Sequence, residues 1–137
     1  MKKVILTIFA CLAITGCGNM TKGKAAAQSQ VTAFHKLFND QDFKTMVDSA
    51  DPKMLKVTSK SQLTDLYSAI RRKLGKVTAS KSVKWNVRTF NTTTTVVVVQ
   101  NTTFEKGKGM ETFTFRIKKE KASLLGYNIN SQDLIMK

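Results

Sequence analysis

Few side chains in this sequence could do chemistry, and they lie far apart. Cys17 stands in ITGCGNM, residues 14 to 20, directly behind the apolar run Val4 to Ile14, and Cys11 lies inside that run. A cysteine thiolate is an intrinsically strong nucleophile, so Cys17 is the first candidate for covalent chemistry. His35 is the only histidine. As a general base it would need a polarising carboxylate and a substrate cavity beside it. Asp48 and Asp51 reach it only if the tertiary fold brings them there. Tyr67 and Tyr127 could line a pocket with His35, but their periodic positions, like that of Trp85, are those of core aromatics with a polar tip. No Cys/His/Asp cluster has metal-ligand spacing, no glycine-rich loop opens a helix after a strand, and the scattered acids form no glycosidase-like pair. No metal or cofactor is implied, and the chain reads as non-enzymatic.

The elements that position these residues begin with the N-terminal segment. Met1-Lys2-Lys3, the apolar run VILTIFACLAI and the small residues behind it have the order of a secretory signal: a basic start, an apolar stretch and a cleavage site. As a helix the run would rise only about 16 Å, roughly half the hydrocarbon core of a bilayer, so it is too short to span one.

Ile14-Thr15-Gly16-Cys17 resembles the lipobox of bacterial lipoproteins, with an aliphatic residue three before the cysteine and Gly or Ala directly before it. Leu is commoner in the place of Ile14. The resemblance implies that the Cys17 sulfur takes a diacylglycerol as a thioether, that cleavage before Cys17 removes residues 1–16, and that the freed amine is acylated. Two or three acyl chains hold a protein firmly to a membrane where one holds it marginally. Cys11 then leaves with the signal and Cys17 is consumed by lipid, so the mature domain has no disulfide and must rely on its core. Gly18 in place of Asp after the cysteine favours the outer over the inner membrane, by resemblance to enterobacterial sorting. The expected localisation is the bacterial cell envelope, lipid-anchored and facing the periplasm.

Loss of residues 1–16 takes Lys2 and Lys3 from the 23 basic side chains and none of the 9 acids, leaving 21 against 9 and a formal charge of +12. That exceeds the roughly 2 to 8 usual for a small domain and points to anionic neighbours. Residues 17–29, the lipidated cysteine followed by small and polar residues, read as a flexible tether, and 30–137 as a single domain.

Within the domain, Ala27, Val31, Phe34 and Phe38 form one stripe at helical period. Asn39-Asp40 breaks that helix and caps a second, with Phe43, Met46, Val47 and Ala50 inward, which Pro52 ends. A third carries a Ser59/Gln62 capping box, the stripe Leu63, Leu66, Tyr67, Ile70 and Leu74, and Gly75 as its stop. Beyond Gly75 the period falls to 2. Val83, Trp85 and Val87 alternate with Lys84, Asn86 and Arg88; Thr94 to Val99 is a continuous strand; Phe113, Phe115 and Ile117 alternate with Thr112, Thr114, Arg116 and Lys118; Leu125, Tyr127 and Ile129 alternate with Leu124, Asn128 and Asn130. Turns at Asn91, Gly107-Lys108-Gly109 and Lys119-Glu120-Lys121 join these into an antiparallel meander. Helices followed by strands predict an α+β fold of amphipathic helices on a curved four-stranded antiparallel sheet.

That order is similar to the nuclear-transport-factor-2-like, or cystatin-like, roll over about residues 25–132, with local cues in FNDQDF (38–43), RRKLGKV (71–77) and GYNI (126–129). Few Trp and Pro residues, common in such domains, are present. The resemblance implies a pocket between helices and sheet, which in enzymes of that superfamily holds an acid, a histidine or a tyrosine. The alternation itself places Lys84, Arg88, Arg116 and Lys118 on the outer sheet face, a candidate surface for an acidic protein or envelope polymer. Nucleic acid is a poor partner, because the aromatics lie on the other face. The leading expectation is therefore a membrane-anchored binding or assembly module. The alternatives are a small-ligand carrier using His35, Tyr67 and Tyr127, or an immunity or inhibitor lipoprotein.

Overall fold

A computed structural model of the protein describes residues 18–136, so Cys17 and the signal segment lie outside the described residues. Five helices and one four-stranded sheet follow in chain order: α1 Gly18–Asn39, α2 Phe43–Asp48, α3 Pro52–Val57, α4 Lys60–Leu74, β1 Val77–Phe90, β2 Thr93–Phe104, β3 Gly107–Lys118, β4 Lys121–Asn130 and α5 Gln132–Met136. The strands pair antiparallel in the order β1-β2-β3-β4, and the sheet stays open. The fold is the expected α+β layer of helices on an antiparallel meander. Among the described residues no helix is long and apolar enough to cross a membrane.

α1 begins earlier than the sequence suggested. The stretch read as a tether is helical from Gly18, and its Ala25-Ala26-Ala27 run suits a helix. Gly23 is buried against the sheet, where an added Cβ would meet Val96 and Ile117, and the ammonium of Lys24 sits 4.4 Å from the centre of the Trp85 ring. Ala27, Val31, Phe34 and Phe38 are buried as their spacing predicts. At the far end of α1 the Asn39 side chain accepts from the Val77 amide and donates to its carbonyl, at 2.8 and 3.0 Å, which ties the helix to the start of β1.

Two short helices replace the single second helix of the sequence reading. Asp42, and not Asn39-Asp40, caps α2 by accepting from the Thr45 amide. Pro52 starts α3 with Asp51 as its cap, the first-turn position in which proline's missing N–H costs nothing. α4 carries the predicted Ser59/Gln62 capping box and ends at Gly75, whose φ of 80° is a left-handed value that a side chain would strain. An added Cβ there would also lie 2.9 Å from the Cβ of Glu105.

The inner sheet face carries Val96, Val98 and Phe104 of β2, Phe113 and Phe115 of β3, and Leu124 and Tyr127 of β4. Two bulges correct the predicted alternation. Val83 is unpaired between Ser82 and Lys84 and is 48% exposed, while Leu125 is skipped between Leu124 and Gly126, so Leu124 and not Leu125 joins the core. One extra residue flips the parity of everything beyond it and bends the strand. Trp85 keeps its inner-face register opposite Val98 but is 42% exposed, because β1 is an edge strand with only the first turns of α1 above it.

Asp51 fastens the helical layer around the β4 edge. Its amide donates to the Leu124 carbonyl at 2.8 Å. Its carboxylate, fully buried, accepts from Arg116 Nε and Nη2 at 2.7 and 3.0 Å, from Ser123 Oγ at 2.6 Å and from the Lys53 amide at 2.9 Å. Burial alone would raise this carboxyl's pKa, but the hydrogen bonds from Ser123, the Lys53 amide and Arg116, with the Arg116 charge, hold it below the usual value. A depressed carboxylate contributes stability above its unfolded pKa, about 4, that is lost as pH falls through the folded value. Asp51→Ala should cost about 3 kcal/mol, since it strands a half-covered guanidinium. In urea unfolding, the stability gap between wild type and Asp51→Asn should be full at neutral pH and shrink below pH about 4; a gap independent of pH would show that the charge is not what holds Asp51.

Candidate functional site

The same alternation that buries Phe113 and Phe115 carries Glu111 inward on β3, opposite Gln100 of β2 and Ile129 of β4. Likewise Val96 and Val98 of β2 are followed inward by Gln100 and Thr102. The inner face therefore changes from apolar to polar partway along the sheet. α1 crosses that polar third with Gln28 and His35, seven residues apart and so on one helical stripe.

Glu111 is the hub of the resulting network. Its carboxylate meets His35 Nε2 at 2.6 Å, and accepts from Thr102 Oγ1 at 2.6 Å and from the Tyr127 hydroxyl at 2.7 Å. Ser80 Oγ lies 3.1 Å from Thr102 Oγ1 and donates to Gln100 Oε1 at 3.1 Å, while Gln100 Nε2 donates to Gln28 at 3.1 Å. The network thus joins α1 to β1, β2, β3 and β4. Burial, then the charge and hydrogen bond of Glu111, push the Tyr127 hydroxyl well above its ordinary pKa. Tyr67, packed edge-on against Tyr127 with ring centres 5.8 Å apart, is raised by burial to about 12. Both remain neutral phenols at physiological pH.

His35, Tyr67 and Tyr127 are brought together as the sequence suggested, and the carboxylate beside His35 is Glu111 instead of Asp48 or Asp51. Asp48 pairs with Lys44 and Lys60 on the surface, and Asp51 with Arg116. The signal for Glu111 was present in the sequence: one more step back along the Phe115, Phe113 alternation reaches it. A dyad alone does not make a site. The hollow between α1, α2 and the sheet, lined by Phe34, Met46, Phe115 and Leu124 among others, measures about 30 Å³. That is room for a water molecule, against the several hundred Å³ of a ligand pocket. Phe34 and Phe113, with ring centres 5.0 Å apart, fill the space beside the dyad. Among the described residues, no group of three or more His, Cys, Asp and Glu could hold a metal ion.

The outer sheet face offers more room. Thr95 of β2 pairs with Arg88 on one side and Arg116 on the other, and Val99 pairs with Lys84. Val97 and Val99 point outward between them. With Lys84, Asn86, Arg88 and Thr95 they line a hollow of about 360 Å³ that has an apolar floor and a cationic rim. The four predicted surface cations divide here. Lys84 and Arg88 stand exposed on this hollow, and Lys118 is exposed at the end of β3. Arg116 is already neutralised by Asp51 and is structural. A larger hollow, about 590 Å³, lies at the other end of the sheet among Asn101, Lys108, Met110, Asn130 and Asp133, beside the 105–111 turn, whose lysines also suggest a partner surface by sequence.

Glu111→Ala should cost about 3 to 5 kcal/mol in urea unfolding, because it leaves three buried donors without their acceptor. The double variant Glu111→Leu with His35→Leu should recover part of that loss; additive costs would show that the two side chains are not coupled. No protein-family model matches this chain, and no curated protein does.

Proposed function

We propose that this protein is a lipid-anchored module of the bacterial cell envelope, facing the periplasm and more at home on the outer than the inner membrane. It binds an acidic partner, protein or envelope polymer, and is not an enzyme. The observation that carries this reading is the contrast between the two sheet faces. Phe34 and Phe113 pack against His35 beside Glu111, while the outer face of β1 and β2 holds an open hollow with Val97 and Val99 as floor and Lys84 and Arg88 as rim. Apolar floor and cationic rim suit an extended chain that carries carboxylates beside apolar groups. Lysine and arginine at the rim speed encounter and set orientation, and the valines supply desolvated contact area. Acyl chains on Cys17 would confine the module to one leaflet, so the partner is met in two dimensions.

The same contrast weighs against the small-ligand carrier, which requires a cavity where Phe34, Phe113 and Phe115 now meet. An immunity or inhibitor role uses the same outer face with a different acidic partner.

A photo-crosslinking residue at Val97, introduced in cells that make the protein, should yield one dominant adduct. Lys84→Glu with Arg88→Glu should reduce that adduct about tenfold, each exposed charge being worth somewhat under about 1 kcal/mol against a complementary one. Undiminished crosslinking would sink the reading of the outer face. Cys17→Ser should release the protein from salt-washed membranes or leave its precursor uncut; retention of a processed Cys17→Ser chain on membranes washed at high salt would sink the anchor.

A further inference from the structure

The β1–β2 turn, the β3–β4 turn and the start of α1 all lie at one end of the domain. In register, Phe90 pairs with Thr93, Thr94 with Ile117, and Lys118 with Lys121. Lys22, in the second turn of α1, bonds Glu120 in the β3–β4 turn at 3.1 Å. Gly18 begins the helix about 6 Å of rise before Lys22, so the chain enters the fold here.

This end is cationic and carries an uncovered aromatic. Phe90 is 79% exposed and points to the outer face beside Arg88. α3 reaches the same end. Lys53 shares a hollow of about 470 Å³ with Arg88 and Phe90, and a second hollow of about 400 Å³ is rimmed by Lys118, Lys119 and Lys121. The two acids nearby are already taken, Glu120 by Lys22 and Asp51 by Arg116. Lys53, Arg88, Lys118, Lys119 and Lys121 have no acidic partner among the described residues. Lys119 and Glu120 both sit at left-handed φ, 50° and 63°, where Gly or Asn would be easier. Lys119 thus stands in this turn at a backbone position that costs it.

We infer that this end is a membrane-docking face that lays Phe90 and the surrounding lysines against an anionic phospholipid surface. The inference rests on the lipid-anchored reading, and adds a second, protein-borne contact that fixes orientation. A polybasic patch beside an acyl anchor is a recognised two-signal arrangement, and an exposed ring buries at the acyl boundary while lysines stay with the phosphates. α1 starts at Gly18 without a tether, so the acyl chains and the cationic end meet the same plane. The β2–β3 turn and the 590 Å³ hollow then face away from the membrane.

The test uses the full chain, expressed with its own N-terminal segment and reconstituted into vesicles of phosphatidylcholine with or without phosphatidylglycerol. A Phe90→Trp reporter in a Trp85→Phe background reports insertion through quenching by brominated acyl chains. Intact mass reads acylation of Cys17 separately. Quenching should require phosphatidylglycerol, and should fall as salt is raised. Lys53→Gln, Lys118→Gln and Lys121→Gln should each lower the docked-to-undocked ratio about fivefold. Acylated, vesicle-bound protein with no quenching would overturn docking and leave the anchor standing. Quenching of a protein that lacks acylation would overturn the anchor and leave docking standing. Absence of both acylation and quenching would overturn both. Quenching equal in phosphatidylcholine alone, or insensitive to salt and to the lysine variants, would overturn the electrostatic basis.

Discussion

The burial of one carboxylate constrains much of this structure. Glu111 sits within the inner sheet face, and a buried carboxylate is tolerable only with its oxygens occupied. Three side chains meet that demand from three elements: His35 from α1, Thr102 from β2 and Tyr127 from β4. The rotation of α1 about its axis and its height above the sheet are therefore set by hydrogen bonds as well as by the Phe34 and Phe38 stripe. Apolar packing alone would allow the helix to slide; a 2.6 Å contact between His35 and Glu111 does not. The packed aromatics around it, Phe34, Phe113, Tyr127 and Tyr67, exclude solvent and strengthen the same bonds. Two polar atoms of α4, the Tyr67 hydroxyl and Arg71 Nε, are buried with no hydrogen-bond partner among the described residues, so the polar interior is satisfied around Glu111 and less so one layer away.

What was legible in the sequence was whatever local chemistry decides. The Ser59/Gln62 capping box, the Gly75 stop and the alternation through Phe113, Phe115 and Ile117 depend on near neighbours, and each is found in the structure. What depends on distant partners was not legible. Arg116 looks like any outward strand cation until Asp51, 65 residues away, closes on it. The bulges at Val83 and Leu125 leave no compositional mark, yet each reverses the alternation beyond it. The first turns of α1 lack an apolar stripe and are helical because Gly23 and Lys24 meet the sheet and Trp85. Pro52 was read for the helix it ends, although proline also favours a first helical turn. Glu111 is the exception: its inward position followed from the alternation, while its three partners did not.

The division of labour between the two sheet faces follows. The inner face spends its polar residues on one another, and the hollow between α1, α2 and the sheet has room for little more than water. On the outer face Val97 and Val99 are flanked by Lys84 and Arg88, which have no acidic partner among the described residues. With Arg116 taken by Asp51, the exposed cations of that face include Lys84 and Arg88 on the β1 side, Lys118 at the end bearing Phe90, and Lys108 at the opposite end. A net positive domain is thus patterned, its exposed cations spread over one sheet face and one end.

β1 itself carries a further consequence. It is a fourteen-residue edge strand, exposed along most of its length, whose outer backbone groups have no neighbouring strand among the described residues. Such an edge invites pairing with a second copy and growth into fibrils. The unpaired Val83 interrupts its regular backbone at mid-strand, and Lys81, Lys84 and Arg88 place like charges where two copies would have to meet. The cations of this strand therefore act as gatekeepers against polymerisation, letting many copies crowd together while each remains a separate folded unit.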